Sequence, residues 1–169
     1  LIVQFGGHPT SVVSGMLVTE LDAMRQPLTY EGYTWTPRVL WGGTNCPGHR
    51  PGCDDLAAGL WNPLSADQYQ VHDPRGALVR VGGGTHQLAD ALSLAQSIAD
   101  GGHDYPVISF TLMVAPSTMK IVTSTDGIQQ IEAFVEQMSA YSFVRWASIE
   151  ETAQAWTEAG AIPSRIQMP

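Results

Sequence analysis

"PVISFTLMVA", residues 106–115, is the stretch on which the fold reading turns. It is apolar almost throughout. A strand exposed on one face alternates apolar and polar residues, so an unbroken apolar run suits a strand buried on both faces, as in a parallel sheet. The segments on either side agree. Upstream, "ALVRVG" at 77–82 reads as a short strand, followed by the turn "GGG". Thr85 can cap a helix reaching about Asp100, with Leu88, Leu92, Ala95 and Ala99 as its stripe and Gly101-Gly102 as its stop. Downstream, Thr125 can cap a helix carrying Ile128, Ile131, Val135 and Met138. "FVRWA", 143–147, reads as a strand. Ser148 and Glu151 then make a capping box for a last helix that ends at Gly160.

The first half is less regular. Residues 1–5 form an apolar run that reads as a buried strand. Residues 14–26 place Leu17, Leu21 and Met24 at helical spacing. "YTWTPRVLW", 33–41, is rich in β-branched and aromatic residues, with Pro37 marking an edge or a bulge. The stretch 42–76 is long and rich in Gly, Pro, Asn and Asp, with little periodicity. About five strands alternate with helices in this reading. The expected fold is therefore α/β, a partial or distorted (β/α) barrel with a mostly parallel sheet. Such folds build their sites at the carboxyl ends of strands. The chain opens inside a strand, so the 169 residues are expected to be one domain, the C-terminal portion of a larger catalytic domain.

Charge narrows the partners. The formal net charge is −8, and Lys120 is the only lysine. A nucleic-acid binder needs a basic stripe to neutralise phosphates, and an anionic membrane surface needs the same, so neither is expected. No apolar run is long enough to cross a bilayer. A neutral or cationic substrate suits this field.

The chemistry-bearing residues gather in "WGGTNCPGHRPGCDD", 41–55. Cys46 and Cys53 are separated by six residues rich in Gly and Pro. They can close a disulfide, remain thiols, or join His49 as soft metal ligands. The pair fits an oxidising, secreted or periplasmic setting. His8 follows the first apolar run and is the best single candidate for a metal ligand or acid/base. Asp54 is the candidate catalytic carboxylate, although either Asp54 or Asp55 could instead cap a helix over "DLAAGLW". Trp41, Trp61 and Tyr69 are candidate stacking platforms for a sugar ring, whereas Trp146 and Trp156 read as core. The loop from Gly42 to Asp73 is too long for a routine connection and is expected to line the substrate cleft. "GGGTHQ" lacks both phosphate-binding fingerprints, and no Gly-x-Ser-x-Gly elbow is present.

The last third, "YPVISFTLMVAPSTM" and "DGIQQIEAFVEQMSAYSFVRWASIEETAQAW", resembles the closing part of polysaccharide deacetylases, and "WNPLSADQYQVHDPRGALVRVGGG" resembles an earlier segment of theirs. The likeness covers about two-thirds of the chain and rests on order and texture. It implies a distorted (β/α) barrel, a divalent metal, usually zinc, and removal of acetyl groups from carbohydrate by metal-activated water. "TPRVLW" stands where the family has an Arg-Pro segment, which implies a substrate-side role for Arg38. Departures are plain. The family's Asp-Asp pair would precede residue 1. Its His-Ser/Thr-x-x-His motif is met only by His8-Pro9-Thr10-Ser11-Val12, without the second histidine. A non-catalytic carbohydrate-binding relative is the alternative.

Cys46 and Cys53 are predicted to form a disulfide that stabilises the fold by roughly 2–3 kcal/mol. Intact mass under non-reducing conditions should be two hydrogen atoms lighter than the reduced chain; free thiols on both residues would refute the pairing.

Overall fold

A computed structural model of the chain describes residues 11–14, 25–30, 32–36, 38–42, 57–65, 68, 71–82, 84–85, 88–112 and 125–167. Its main sheet contains β1 (Ser11–Ser14), β4 (Val39–Gly42), β6 (Val79–Val81), β5 (Ala57–Trp61) and β9 (Ser164–Gln167), in that spatial order. A hairpin of β2 (Leu28–Tyr30) and β3 (Tyr33–Trp35) forms a separate ribbon. The short pair β7 (Gly84–Thr85) and β8 (Thr111–Leu112) forms another. Three helices are described: α1 (Leu88–Ala99), α2 (Thr125–Ser139) and α3 (Ile149–Glu158).

This sheet overturns the expected mostly parallel (β/α) barrel. β1, β4 and β6 do run parallel. β5, however, is antiparallel to β6 on one side and to β9 on the other. Three of the five strands thus form an antiparallel unit. Among the described residues the order ends at β1 and β9, so no barrel closes. The reason lies in two strands without a strong signature. "AAGLW" has small residues where strands favour β-branched ones, and "SRIQ" is mostly polar.

The long apolar run 106–115 also behaves differently from expectation. Only Thr111 and Leu112 join a ladder, and 113–115 lie outside the described residues. Its earlier part serves the core through its side chains. Val107 packs against the cluster of Val39, Leu60, Val81, Ala153 and Trp156, whereas Ile108 and Phe110 pack against Leu94 and Ile166. Its main chain contributes one cross-link, the Ser109 carbonyl accepting from the Gly59 amide at 2.8 Å. "FVRWA" is likewise no strand but the link between α2 and α3. The expected strand over 33–41 is two strands in different sheets, parted in the interval that contains Pro37, which cannot donate to a ladder. Ser14 closes β1 and Arg25 lies in a turn, so the expected helix over 14–26 keeps neither end.

The helices follow local sequence closely. α1 ends in a Schellman arrangement: Gly102 N–H reaches Ser97 O at 2.8 Å, Gly101 N–H reaches Ile98 O at 3.0 Å, and Gly101 has φ +78°. Its buried residues are Ala91, Leu94 and Ala95, a face turned from the expected stripe. α3 opens with the expected capping box. Ser148 donates its N–H and its hydroxyl to Glu151 Oε2, both at 2.7 Å, and its Oγ accepts from Glu151 N–H. This helix lays Ala153 and Trp156 on Val39, Leu60 and Val81. Trp156 is 1% exposed, and its Nε1–H donates to Ile162 O at 2.6 Å. Truncating such a residue typically costs about 3–5 kcal/mol.

Two tests address this architecture. At Gly59 φ is +136°, and a Cβ there would stand 2.0 Å from Ser164 O. Gly32 has φ +80° but open space around it. Gly59→Ala should therefore cost about 3 kcal/mol or more, from backbone strain and collision together, against about 1–2 kcal/mol for Gly32→Ala. Urea unfolding midpoints measure both, and equal losses would contradict the β5–β9 contact. Glu151 tests the cap. Its bonds to Ser148 hold its carboxyl below the ordinary value of 4.5. A carboxyl depressed by folding stabilises the native state above its unfolded pKa, and that contribution fades as pH falls through the folded one. Between pH 5 and pH 3, about the range where glutamate titrates, the parent's Tm should drop further than that of Glu151→Gln. Parallel curves would contradict the linkage.

Candidate functional site

The parallel strands end on one edge. β1, β4 and β6 run in the same direction and finish at Ser14, Gly42 and Val81. β5 runs the other way, so its first residue, Ala57, lies on that same edge, opposite Gln167 at the end of β9. The chain thus leaves the sheet at Gly42 and re-enters it at Ala57 with only β6 between them, about two strand spacings or ~10 Å across. The intervening residues include Cys46, His49, Cys53, Asp54 and Asp55, which lie outside the described residues. Gly84–Thr85, just beyond Gly82, pairs with Thr111–Leu112 there. This is where α/β sheets place their ligands, beyond the carboxyl ends of parallel strands.

The expected cleft loop, Gly42 to Asp73, is divided by β5 between the two edges of the sheet. Its second part follows Trp61, at the far edge. There the Pro63–His72 bridge, Leu64 N–H to Val71 O (2.9 Å) and Asp73 N–H to Asn62 O (2.7 Å) fold the chain back on itself. The Arg25 guanidinium donates to the carbonyls of Pro63 and Leu64, and Asn62 Nδ2 donates to Gly76 O at 2.8 Å. His72 accepts the Asn62 N–H on Nδ1 at 3.2 Å, which puts the ring proton on Nε2, and its ring meets Trp156 edge-on. The arm is a structural brace for β5. The idea that "DLAAGLW" forms a helix capped by Asp54 or Asp55 falls with it, because Ala57–Trp61 is a strand.

The individual candidates separate accordingly. Trp61 is 2% exposed, with the Arg80 guanidinium 3.9 Å from its ring centroid, a packing position rather than an open stacking face. Arg80 itself is fully buried and donates to Gly59 O at 3.2 Å. Trp41 occupies the β4 position in register with Val81. Arg38 precedes β4, at the edge away from the 43–56 segment, and pairs with Glu150 at 3.2 Å in the first turn of α3. Its side chain is 67% exposed, so this ion pair contributes at most about 1 kcal/mol. His8 and Tyr69 lie outside the described residues, as do the cysteines. β1 begins at Ser11, so His8 stands three residues ahead of a strand's amino end. Among the described residues no three histidine, cysteine, aspartate or glutamate side chains converge as a metal site would require. No helix among them is long and apolar enough to cross a membrane.

Sequence reading missed one feature. Trp146, expected in the core, is 58% exposed. It borders a cavity of about 320 Å³ walled by Phe110, Ile131, Phe134 and Val135, with Val81 at its base. Its indole is held at its polar edge, Nε1–H donating to Ser139 Oγ at 2.9 Å, and stands edge-on to Phe134 at 6.3 Å. The available signal was a tryptophan in a short link between two amphipathic helices, seven residues after a serine. Comparison of the chain with protein-family models, curated proteins and solved structures finds no match.

Proposed function

We propose that the chain is a carbohydrate-directed hydrolase of the polysaccharide deacetylase type, with its chemistry at the carboxyl edge of β1, β4 and β6. The observation that carries this reading is the return of the chain from Gly42 to Ala57 on that edge. His49, Asp54 and Asp55 lie in sequence between these two ends, and an α/β sheet leaves room for a ligand beyond the carboxyl ends of its parallel strands. His8, the other metal candidate, lies outside the described residues, three positions before β1.

In this proposal Asp54 takes a proton from the water that attacks the acetyl carbonyl. The new C–O bond forms, the bond from the acyl carbon to the sugar nitrogen or oxygen breaks, and the departing group takes up a proton as acetate leaves. A zinc ion, which the resemblance implies, would supply water activation and carbonyl polarisation when bound, with His49 as its assigned ligand. The buried Trp61 takes no part in sugar contact, and Arg38 serves α3 through Glu150.

The second reading, a carbohydrate-binding protein without turnover, is favoured by one observation, the fixed and exposed indole of Trp146. Acetate release decides between them. The purified chain, supplied with zinc, is assayed on N-acetylated and O-acetylated oligosaccharides. The hydrolase reading expects release that falls about 100-fold or more in Asp54→Asn, and bound zinc that is lost in His49→Ala. Sugar binding with no acetate release from the zinc-loaded protein would overturn the hydrolase and leave the binding protein.

A further inference from the structure

We propose that the apolar face of α2, with Trp146 at its end, is a docking surface for a basic amphipathic helix of another protein. The proposal is independent of the hydrolase reading and places no chemistry here.

The apolar part is concentrated. Ile128, Val135, Phe143 and Trp146 make up half of the large apolar side chains left exposed among the described residues, and all of them belong to one helix and the link that follows it. A clustered patch marks an interaction site where scattered apolar residues do not. On α2, Ile128, Ile131 and Val135 stand at i, i+3 and i+7 and so share a face about 10 Å long. At the carboxyl end of that face Ser139, the last residue of α2, holds the Trp146 indole through its Oγ at 2.9 Å. The cavity of about 320 Å³ that Trp146 borders with Ile131 and Val135 opens on the same face and is large enough for one apolar side chain. Tryptophan beside a pocket is among the commonest binding anchors, and a ring already held loses little entropy on binding.

Charge points to what covers this face. From Thr125 to Glu158 the carboxylates are Asp126, Glu132, Glu136, Glu150, Glu151 and Glu158, and Arg145 is the only cation. Glu132 lies one turn from both Ile128 and Val135, and Glu136 lies one turn beyond Glu132. These two exposed carboxylates therefore flank the apolar stripe. They are like charges at i, i+4, which weakens a helix, and neither has an ion pair among the described residues. α2 also has no basic residue in its last turn, where the helix dipole favours a cation, and Glu136 stands there instead. A partner's Lys or Arg beside the stripe would answer both carboxylates and the dipole.

The same charges disfavour other occupants. A second copy would set carboxylate against carboxylate, and an anionic membrane would be repelled in the same way. An extended strand is a poor match. Most of the cavity lining comes from α2, α3 and the link between them, and the helices bond their own backbones internally and offer no ladder. A helix needs no ladder. Its apolar residues at i, i+3 or i+4 and i+7 span the length from Ile128 to Val135, with one side chain entering the cavity and its Lys or Arg residues beside Glu132 and Glu136.

Peptide display on the whole chain tests the proposal. The probe is a library of peptides of about 15 residues, long enough for a marginal helix, apolar at helical spacing and random elsewhere, so that charge is free to vary. Selection should enrich Lys and Arg at the random positions. The enriched peptides, measured by fluorescence anisotropy, should bind Trp146→Ala about ten-fold more weakly than the parent. They should bind the double variant Glu132→Gln, Glu136→Gln several-fold more weakly in dilute salt, with the difference gone near ~1 M, where charges are screened within about 3 Å. The Tm of each variant should stay close to the parent's, which separates loss of the surface from loss of the fold. Enrichment of neutral or acidic peptides overturns the proposal, as does no enrichment, or peptides that bind parent and variants alike. So does a parent dimer that Trp146→Ala dissociates in sedimentation. Phosphatidylcholine vesicles or an N-acetylated oligosaccharide that bind the parent and not Trp146→Ala overturn it equally.

Discussion

The main chain of Gly59 ties together segments far apart in sequence. Its N–H donates to Ser109 O, while its carbonyl accepts from Gly82 N–H at 3.0 Å and from Arg80. Across the strand it lies so close to Ser164 that no side chain fits between them. Ser164 is itself buried, and its Oγ accepts the neighbouring Leu60 N–H at 3.2 Å. Backbone polar groups at this depth must be paired or they destabilise the fold. One residue without a Cβ thus lets β5, β6, β9 and the 107–112 segment meet, and the Trp156 cluster is assembled over that junction.

From this junction follows the division of labour between the two edges of the sheet. Because β5 enters reversed, the loop before it returns to the carboxyl edge, and the arm after it is sent to the opposite one. On the carboxyl edge stand Gly42 and Ala57, the two described residues that flank the cysteines, His49 and the aspartate pair in the sequence. The other is occupied by the Arg25-clamped arm and the Arg38–Glu150 pair. A fully parallel arrangement would have given the chain no such separation within so few residues.

What the sequence made legible was local. The capping box at Ser148, the glycine stop after α1 and the span of α2 could be read because each depends on neighbours within a turn. The short strand near Val79–Val81 was legible from its β-branched residues. The sheet's polarity was not, because direction depends on which strands pair. The one strand that runs in reverse, "AAGLW", and its neighbour "SRIQ" owe their strand state to partners rather than to propensity. The apolar run at 106–115 misled for a related reason. Val107, Ile108 and Phe110 pack half-buried against the two core clusters, but packing alone does not supply a ladder partner. For the candidate site, residue types were legible, whereas exposure was not: Trp61 and Trp146 exchange the places that composition suggested.

The placement of β9 has a consequence for how the molecule comes into being. Leu60 is joined to Ser164, 104 residues later. During synthesis β5 emerges with one flank open, and a further 104 residues separate Leu60 from the Ser164 that covers it. Contacts of such separation fold slowly, since a long loop must be ordered before they form. Nascent chains would therefore expose an unpaired edge beside Trp61 until β9 is made, and an exposed edge invites pairing with another chain.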